Sequence, residues 1–162
     1  IVFTMGGNDV SKISQTGQDA PPEEVDEFFD LPYQRRAHPD HEARGGIGAL
    51  EAVRFSINTH RGCMADCSFC SITSHEGKTV QSRSQKSVLR EVATIAAGED
   101  FKGTISDLGG PTANMYTMRC TKPEVEKTCK RLSCVHPKIC KLLGTDHGPL
   151  VKLLEKAQKW EP

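Results

Sequence analysis

The sequence carries no excess of charge, no long apolar run and no internal repeat, and each absence narrows the possibilities. Twenty-one Lys and Arg balance twenty-one Asp and Glu, so the formal net charge is zero. A neutral chain has no global pull toward nucleic acid or an anionic membrane surface, and no clear nucleic-acid site stands out. No apolar stretch approaches the roughly 18 residues of a membrane span. The opening "IVFTMGGNDVSK" has too short an apolar run for a signal peptide. An initial Met is also missing, which points to a piece of something longer. Hydrophobic residues at 36% still supply a core, and 162 residues is the length of one ordinary domain. Without a secretory signal, the expected compartment is a reducing cytoplasm. There, the chain's seven cysteines are more often metal ligands than disulfides.

Residues 1–50 read as a loosely structured lead-in. Gly, Ser, Gln, Asp and Pro dominate Met5 to Pro22, and "PPEEVDEFFDLP" holds a short helix with acidic residues in its first turn. "YQRRAHPDHEARGGIG" reads as a solvated loop, with Arg35, Arg36, His38 and His41 as candidate ligand contacts. Organisation begins at "EAVRFSINTH", where Val53, Phe55 and Ile57 alternate with polar residues, and a strand over 52–58 is expected. A cysteine-rich loop follows. In "SQKSVLREVATIAAGED", Val88, Leu89, Val92, Ile95 and Ala96 recur at helical spacing. Ser84 or Ser87 suits the start and Gly98 the stop. "FKGTISDLGG" gives a second strand, at 103–107, ending in a glycine pair. Strand, loop, helix and strand make a βαβ unit, so residues 51–118 are expected to carry a parallel sheet. Residues 119–162 read as a cysteine-rich helical segment. Pro123 opens one helix there. A C-terminal amphipathic helix, interrupted by Gly148-Pro149, carries Leu150, Leu153, Leu154 and Ala157 on one face.

The stretch "RGCMADCSFC" has three cysteines, Cys63, Cys67 and Cys70, in a C-x3-C-x2-C spacing. Thiolates suit both zinc and iron–sulfur clusters. A structural zinc site wants four ligands, so His60 or His75 would have to complete it. A four-iron cluster held by three cysteines instead leaves one iron open to a small ligand, whereas electron-transfer clusters close that position with a fourth cysteine. The loop follows the C-terminal end of a strand, where parallel α/β folds build their sites. Three readings therefore stand: a cluster with an open iron, a zinc-stabilised structural module, and an electron-transfer iron–sulfur protein.

"CMADCSFC", with Phe69 before its third cysteine, resembles the signature of the radical S-adenosylmethionine (radical SAM) enzymes. "LPYQRRAHP", "RFSINTHRGC", "CSFCSITSHEGK", "QSRSQKSVLREV" and "KGTISDLGGPTANMY" are similar to the YgiQ-type family within that superfamily, from about Leu31 to His147. The resemblance implies an α/β fold: the N-terminal part of a partial parallel (β/α) barrel, incomplete in this chain. It implies a [4Fe-4S] cluster on Cys63, Cys67 and Cys70, with S-adenosylmethionine chelated by the open iron. Reduction of that cluster would cleave the sulfonium to methionine and a 5′-deoxyadenosyl radical, which would abstract hydrogen from an unknown substrate. It implies an electron donor such as flavodoxin or ferredoxin. Gly109 and Gly110 would contact the amino group of S-adenosylmethionine, flanked by Asp107 and Asn114. Phe69 would also face the cofactor. "GKTVQSRS" is similar to a run in the methylthiotransferase branch, which makes Arg83 a candidate for the cofactor carboxylate.

Cys120, Cys129, Cys134 and Cys140 are four, the count of a closed metal site. Their intervals of eight, four and five residues match neither a usual zinc ribbon nor a bacterial ferredoxin run. A second metal or cluster site, redox pairs and unrelated buried thiols all remain open for them.

Overall fold

The computed structural model describes residues 20–111 and 113–159. The readings made on residues 1–19 lie outside them. The elements in chain order are α1 (Pro22–Phe29), α2 (Pro39–Glu42), α3 (Gly48–Val53), β1 (Ser56–Asn58), β2 (His60–Arg61), α4 (Ile72–Glu76), β3 (Gln81–Ser82), α5 (Gln85–Ala96), β4 (Asp107–Gly109), α6 (Pro123–Glu126) and α7 (Gly148–Gln158).

A parallel pair is the centre of the fold. Strand β1 lies beside β4 with Ile57 opposite Leu108 and Asn58 opposite Gly109. Helix α5 is the crossover between them, as the βαβ reading requires. The sheet stops at these two strands, so the described residues form a mixed α/β unit with a small parallel sheet and no closed barrel. The strands are also shorter and later than the alternation implied. Ala52 and Val53 lie in α3, with Val53 exposed, and only Ile57 of the expected apolar face is fully buried. Three alternating residues are too few to exclude a helical turn. The second strand begins at Asp107 rather than at Gly103.

Helix α5 explains most of the core. Ser84 caps it, its hydroxyl accepting from the Ser87 N–H at 3.1 Å. Val88, Val92 and Ile95 are buried on one face and pack with Ile57, Tyr116, Leu150 and Leu153. Full burial of each aliphatic side chain contributes roughly 1.5–3 kcal/mol. Leu150 and Leu153 belong to α7, so residues within 119–162 share a core with the βαβ unit. Pro149 sits in the first turn of α7 and therefore starts that helix rather than interrupting it. Leu154 of the expected apolar face is exposed.

The lead-in from residue 20 onward is docked, contrary to its loose reading. Asp26 of α1 accepts from both the N–H and the hydroxyl of Ser84. Arg35 donates to the carbonyls of Arg54 and Ser56 at 2.7 and 2.9 Å and pairs with Glu91. Arg36 pairs with Asp100. Arg35 thus ties the lead-in to β1 and α5, and Arg36 ties it to the segment that follows α5. His38 caps α2 through its ring nitrogen at 3.3 Å, and His41 lies within that helix.

Candidate metal centre

The cysteine loop runs from Gly62 to Gly77, and it is held at its root. Strands β2 and β3 pair antiparallel, His60 opposite Ser82 and Arg61 opposite Gln81, and close the loop from below. Two residues per strand carry no periodic signal, so the sequence did not disclose this clasp. Glu76 reaches back to accept from the Gly62 N–H at 3.0 Å and from Arg61 at 3.1 Å. The Cys63 N–H donates to the Gly77 carbonyl at 3.0 Å, and Thr73 donates to the Cys63 carbonyl at 3.0 Å. Gly62 has φ +88°, and a Cβ there would lie 2.2 Å from the Thr79 carbonyl oxygen. Only glycine allows the chain to enter the loop along this path. Asp66 is also left-handed, at φ 51°, and its N–H donates to the Thr73 hydroxyl at 3.2 Å.

Within this frame, Cys63 is buried against Met64, Val80 and Met115, Cys70 is half-buried and Cys67 is exposed. The Cys70 N–H donates to the Cys67 carbonyl at 2.9 Å. The Phe69 ring is 91% exposed, so no described part of the chain covers it. Among the described residues, no three His, Cys, Asp or Glu side chains are gathered closely enough to hold a single metal ion. His75 is exposed, and His60 is buried with its Nδ1 facing the Thr59 hydroxyl.

His60 links the loop to the glycine pair. It is fully buried, its Nδ1 lies 2.9 Å from the Thr59 hydroxyl, and its ring lies against Gly110. A Cβ on Gly110 would sit 2.2 Å from the ring atoms Cε1 and Nε2. The absent side chain at Gly110 thus makes room for an imidazole of the protein itself. Burial holds the His60 pKa below its ordinary value, opposed by the Ala113 backbone and the Glu76 carboxylate. The Gly109 carbonyl accepts from the Thr59 N–H at 2.7 Å. Gly109 and Gly110 accordingly lie at the C-terminal ends of the parallel strands, beside the root of the cysteine loop. Asp107 and Asn114 are both exposed, and Asp107 Oδ1 approaches the Gly109 Cβ position at 3.3 Å.

Arg83 is placed differently from a ligand-facing arginine. Its side chain is 1% exposed and stacks on Phe29 at 4.0 Å. Its guanidinium donates to the Asn58 carbonyl at 2.8 Å, to Ser87 Oγ at 2.8 and 3.2 Å, and to Glu91. These bonds join the end of β1 to the first turns of α5. A signal for this existed in the four-residue spacing of Arg83, Ser87 and Glu91, with Arg83 just before the cap of α5. Tyr116 completes the knot by donating to the Arg83 carbonyl at 2.9 Å, and burial pushes its phenol pKa up.

The remaining four cysteines converge without regular secondary structure. Cys120, Cys129, Cys134 and Cys140 line one cavity of about 170 Å³ with Met64, Lys78 and Leu143. The Cys134 N–H donates to the Met64 carbonyl, and the Cys140 N–H to the Cys134 carbonyl, both at 2.8 Å. Lys78 Nζ stands 3.6 Å from Cys129 Sγ. The Arg131 N–H, and after it the Lys78 ammonium, hold the Cys129 thiol below its ordinary pKa. Burial raises that of Cys134, and the nearby thiols of Cys140 and Cys129 add to it. All seven cysteines are free. A wider groove of about 710 Å³ lies between the lead-in and α5. Arg35, Arg54 and Arg90 in its lining pair with Glu91, Asp100 and Asp30.

Comparison with known proteins agrees on one family. The chain is 53% identical over 138 residues to the UPF0313 protein YgiQ of Salmonella typhimurium, 85% of this chain and 19% of that protein. It is 51% identical over 137 residues to YgiQ of Escherichia coli strain K12, 84% and 18% of the two lengths. It is 48% identical over 136 residues to a UPF0313 protein of Porphyromonas gingivalis, 84% and 21%. The chain therefore spans about a fifth of the length of the curated relatives it matches. No family model matches, and no solved structure matches. No helix of the described residues is long and apolar enough to cross a membrane. Identity of 48–53% over most of the chain makes it a member of the UPF0313 (YgiQ-type) family.

Proposed function

We propose that this chain is the cluster-bearing segment of a radical SAM enzyme. Cys63, Cys67 and Cys70 hold a [4Fe-4S] cluster, and S-adenosylmethionine binds at the iron they leave open. The observation that carries the reading is a loop with three free thiols, rooted at the C-terminal end of the β1–β4 pair beside Gly109 and Gly110. The residues fit the group. Three soft sulfur donors suit iron, one is buried, one half-buried and one exposed, and the loop ends are pinned. When bound and reduced, such a cluster supplies one electron to cleave S-adenosylmethionine and release a carbon radical for hydrogen abstraction.

The protein's own part is positioning and exclusion. Cys63 anchors the group from the apolar cluster of Met64, Val80 and Met115, which keeps water from that side. Phe69 offers an uncovered apolar ring to the cofactor. Backbone groups near Gly109 and Gly110 face the amino group. Arg83 acts as a positioning residue, because its donors already fix the end of β1 against α5. Cys67, at the exposed tip, is on the side from which a small redox protein such as flavodoxin or ferredoxin delivers electrons.

The test is anaerobic reconstitution of the chain with iron and sulfide, followed by dithionite and S-adenosylmethionine. The expected result is a brown protein whose cluster EPR signal changes when S-adenosylmethionine is added. Replacement of Cys63, Cys67 or Cys70 by Ala removes that response. A signal indifferent to S-adenosylmethionine leaves an electron-transfer module instead, and stoichiometric zinc without iron leaves a structural one.

A further inference from the structure

Four cysteines from an irregular segment line one cavity, next to the first loop yet separate from its thiols. We propose that Cys120, Cys129, Cys134 and Cys140 hold a second, fully ligated iron–sulfur cluster in that cavity. The proposal stands apart from the reading of the three-cysteine loop.

Size discriminates among the ligands that four thiols accept. A zinc ion at about 2.3 Å from each sulfur draws the four sulfurs to within about 3.8 Å of one another. Among the described residues no such gathering exists, although the same four thiols face a common space of about 170 Å³. A cubane of four irons and four sulfides fills a space of that order and stands its cysteines further apart. It also takes four cysteine ligands, one for each iron. Disulfides would take these thiols in pairs, whereas all four are free.

The surroundings suit an anionic, sulfur-rich group. Lys78 stands 3.6 Å from Cys129 Sγ and is fixed there by a bond to the Arg131 carbonyl, which supplies positive charge at the cavity wall. The carboxylate in the lining, Glu126, is engaged by Arg119 at 3.1 Å and by the Cys120 N–H at 3.3 Å. Met64, Val125, Leu142 and Leu143 provide the apolar remainder. The scaffold is held in place. Cys120 bridges to Leu143, the Thr121 N–H donates to the Leu142 carbonyl at 2.7 Å, and Ser133 donates to the Ala65 carbonyl at 2.6 Å. The last bond, with that from Cys134 to Met64, fastens this cavity to the first cysteine loop.

The test uses the chain with Cys63→Ala, Cys67→Ala and Cys70→Ala combined, reconstituted anaerobically with iron and sulfide. The expected yield is about four irons and four sulfides per folded chain, against about eight of each for the unaltered chain. The EPR signal of the reduced triple variant should not respond to S-adenosylmethionine, because no iron is open. Cys129→Ser, a conservative change at an exposed position, should remove this SAM-indifferent signal while the circular dichroism stays unchanged. A triple variant that folds but holds no iron overturns the proposal. So does one that takes up a single zinc in place of iron. An unaltered chain that shows the SAM-indifferent signal but no SAM-sensitive one would count against the three-cysteine reading and leave this one standing.

Discussion

Gly62 and Gly103 share the same backbone angle, φ +88°, but not the same surroundings. Alanine at either position pays for the left-handed region, about 1–2 kcal/mol, partly offset by a stiffer unfolded chain. At Gly103 nothing lies within 4 Å of the added Cβ, so that is the whole effect, and a net loss of about 1 kcal/mol is expected. At Gly62 the Cβ would lie 2.2 Å from the Thr79 oxygen, 3.0 Å from its carbonyl carbon and 3.3 Å from Val80 Cα. Those are backbone atoms, just before the clasp strand β3, and cannot swing aside as a side chain would. The segment must retreat by about an ångström, and overpacking of that kind adds about 1–3 kcal/mol. Gly62→Ala should therefore lose about 2–4 kcal/mol, well beyond Gly103→Ala. Urea unfolding followed by circular dichroism measures both on the same chain. Amide exchange at Cys63, whose N–H bonds to the Gly77 carbonyl, shows whether the loop root opens first. Equal losses for the two variants would refute the idea that a close passage at Thr79 fixes the entry to the cysteine loop.

Three further outcomes are expected. Ser84→Ala removes the cap of α5 and the hydroxyl bond to Asp26, and should lower stability by about 1–2 kcal/mol in urea unfolding. Arg83→Met leaves Glu91, Ser87 and the Asn58 carbonyl without their buried donor and should lose about 3–5 kcal/mol. A loss below about 1 kcal/mol would show that the guanidinium network does not hold β1 to α5. His60 has a folded pKa below 6.5, so the unfolded chain takes up the proton first as pH falls. Its contribution is intact above 6.5 and is lost progressively below it, by up to about 1.4 kcal/mol per pH unit. Urea midpoints at a series of pH values should show a shallower acid decline for His60→Gln, and an unchanged decline would assign it to other groups.

Much of the fold was legible because its signals are local. The 3.6-residue recurrence of Val88, Val92 and Ile95, the Ser84 cap and the acidic first turn of α1 each lie within one element. The parallel relation of β1 and β4 followed from the crossover rule rather than from any property of the strands. What stayed hidden depends on partners distant in sequence. Arg35 reads as a surface residue until Glu91, 56 positions away, is brought beside it. Gly110 reads as a ligand approach, yet its nearest neighbour is the imidazole of His60. The strand at 52–58 was overdrawn because alternation over three apolar residues is shared by a strand and by the end of a helix.

The two cysteine sets differ in a way that count alone does not convey. The first sits on a loop whose ends are bonded, with Cys63 buried at its start, Cys67 exposed and Cys70 half-buried. The second surrounds a cavity already formed, with a lysine at its wall and a backbone bridge on its rim. They meet at Cys63-Met64-Ala65. Met64 lines the second cavity, its carbonyl accepts from Cys134, and Cys63 beside it is buried in the same apolar cluster. A displacement on either side therefore passes through three consecutive residues of backbone. The link consists of bonds internal to this chain, from the Cys134 N–H to the Met64 carbonyl and from the Ser133 hydroxyl to the Ala65 carbonyl.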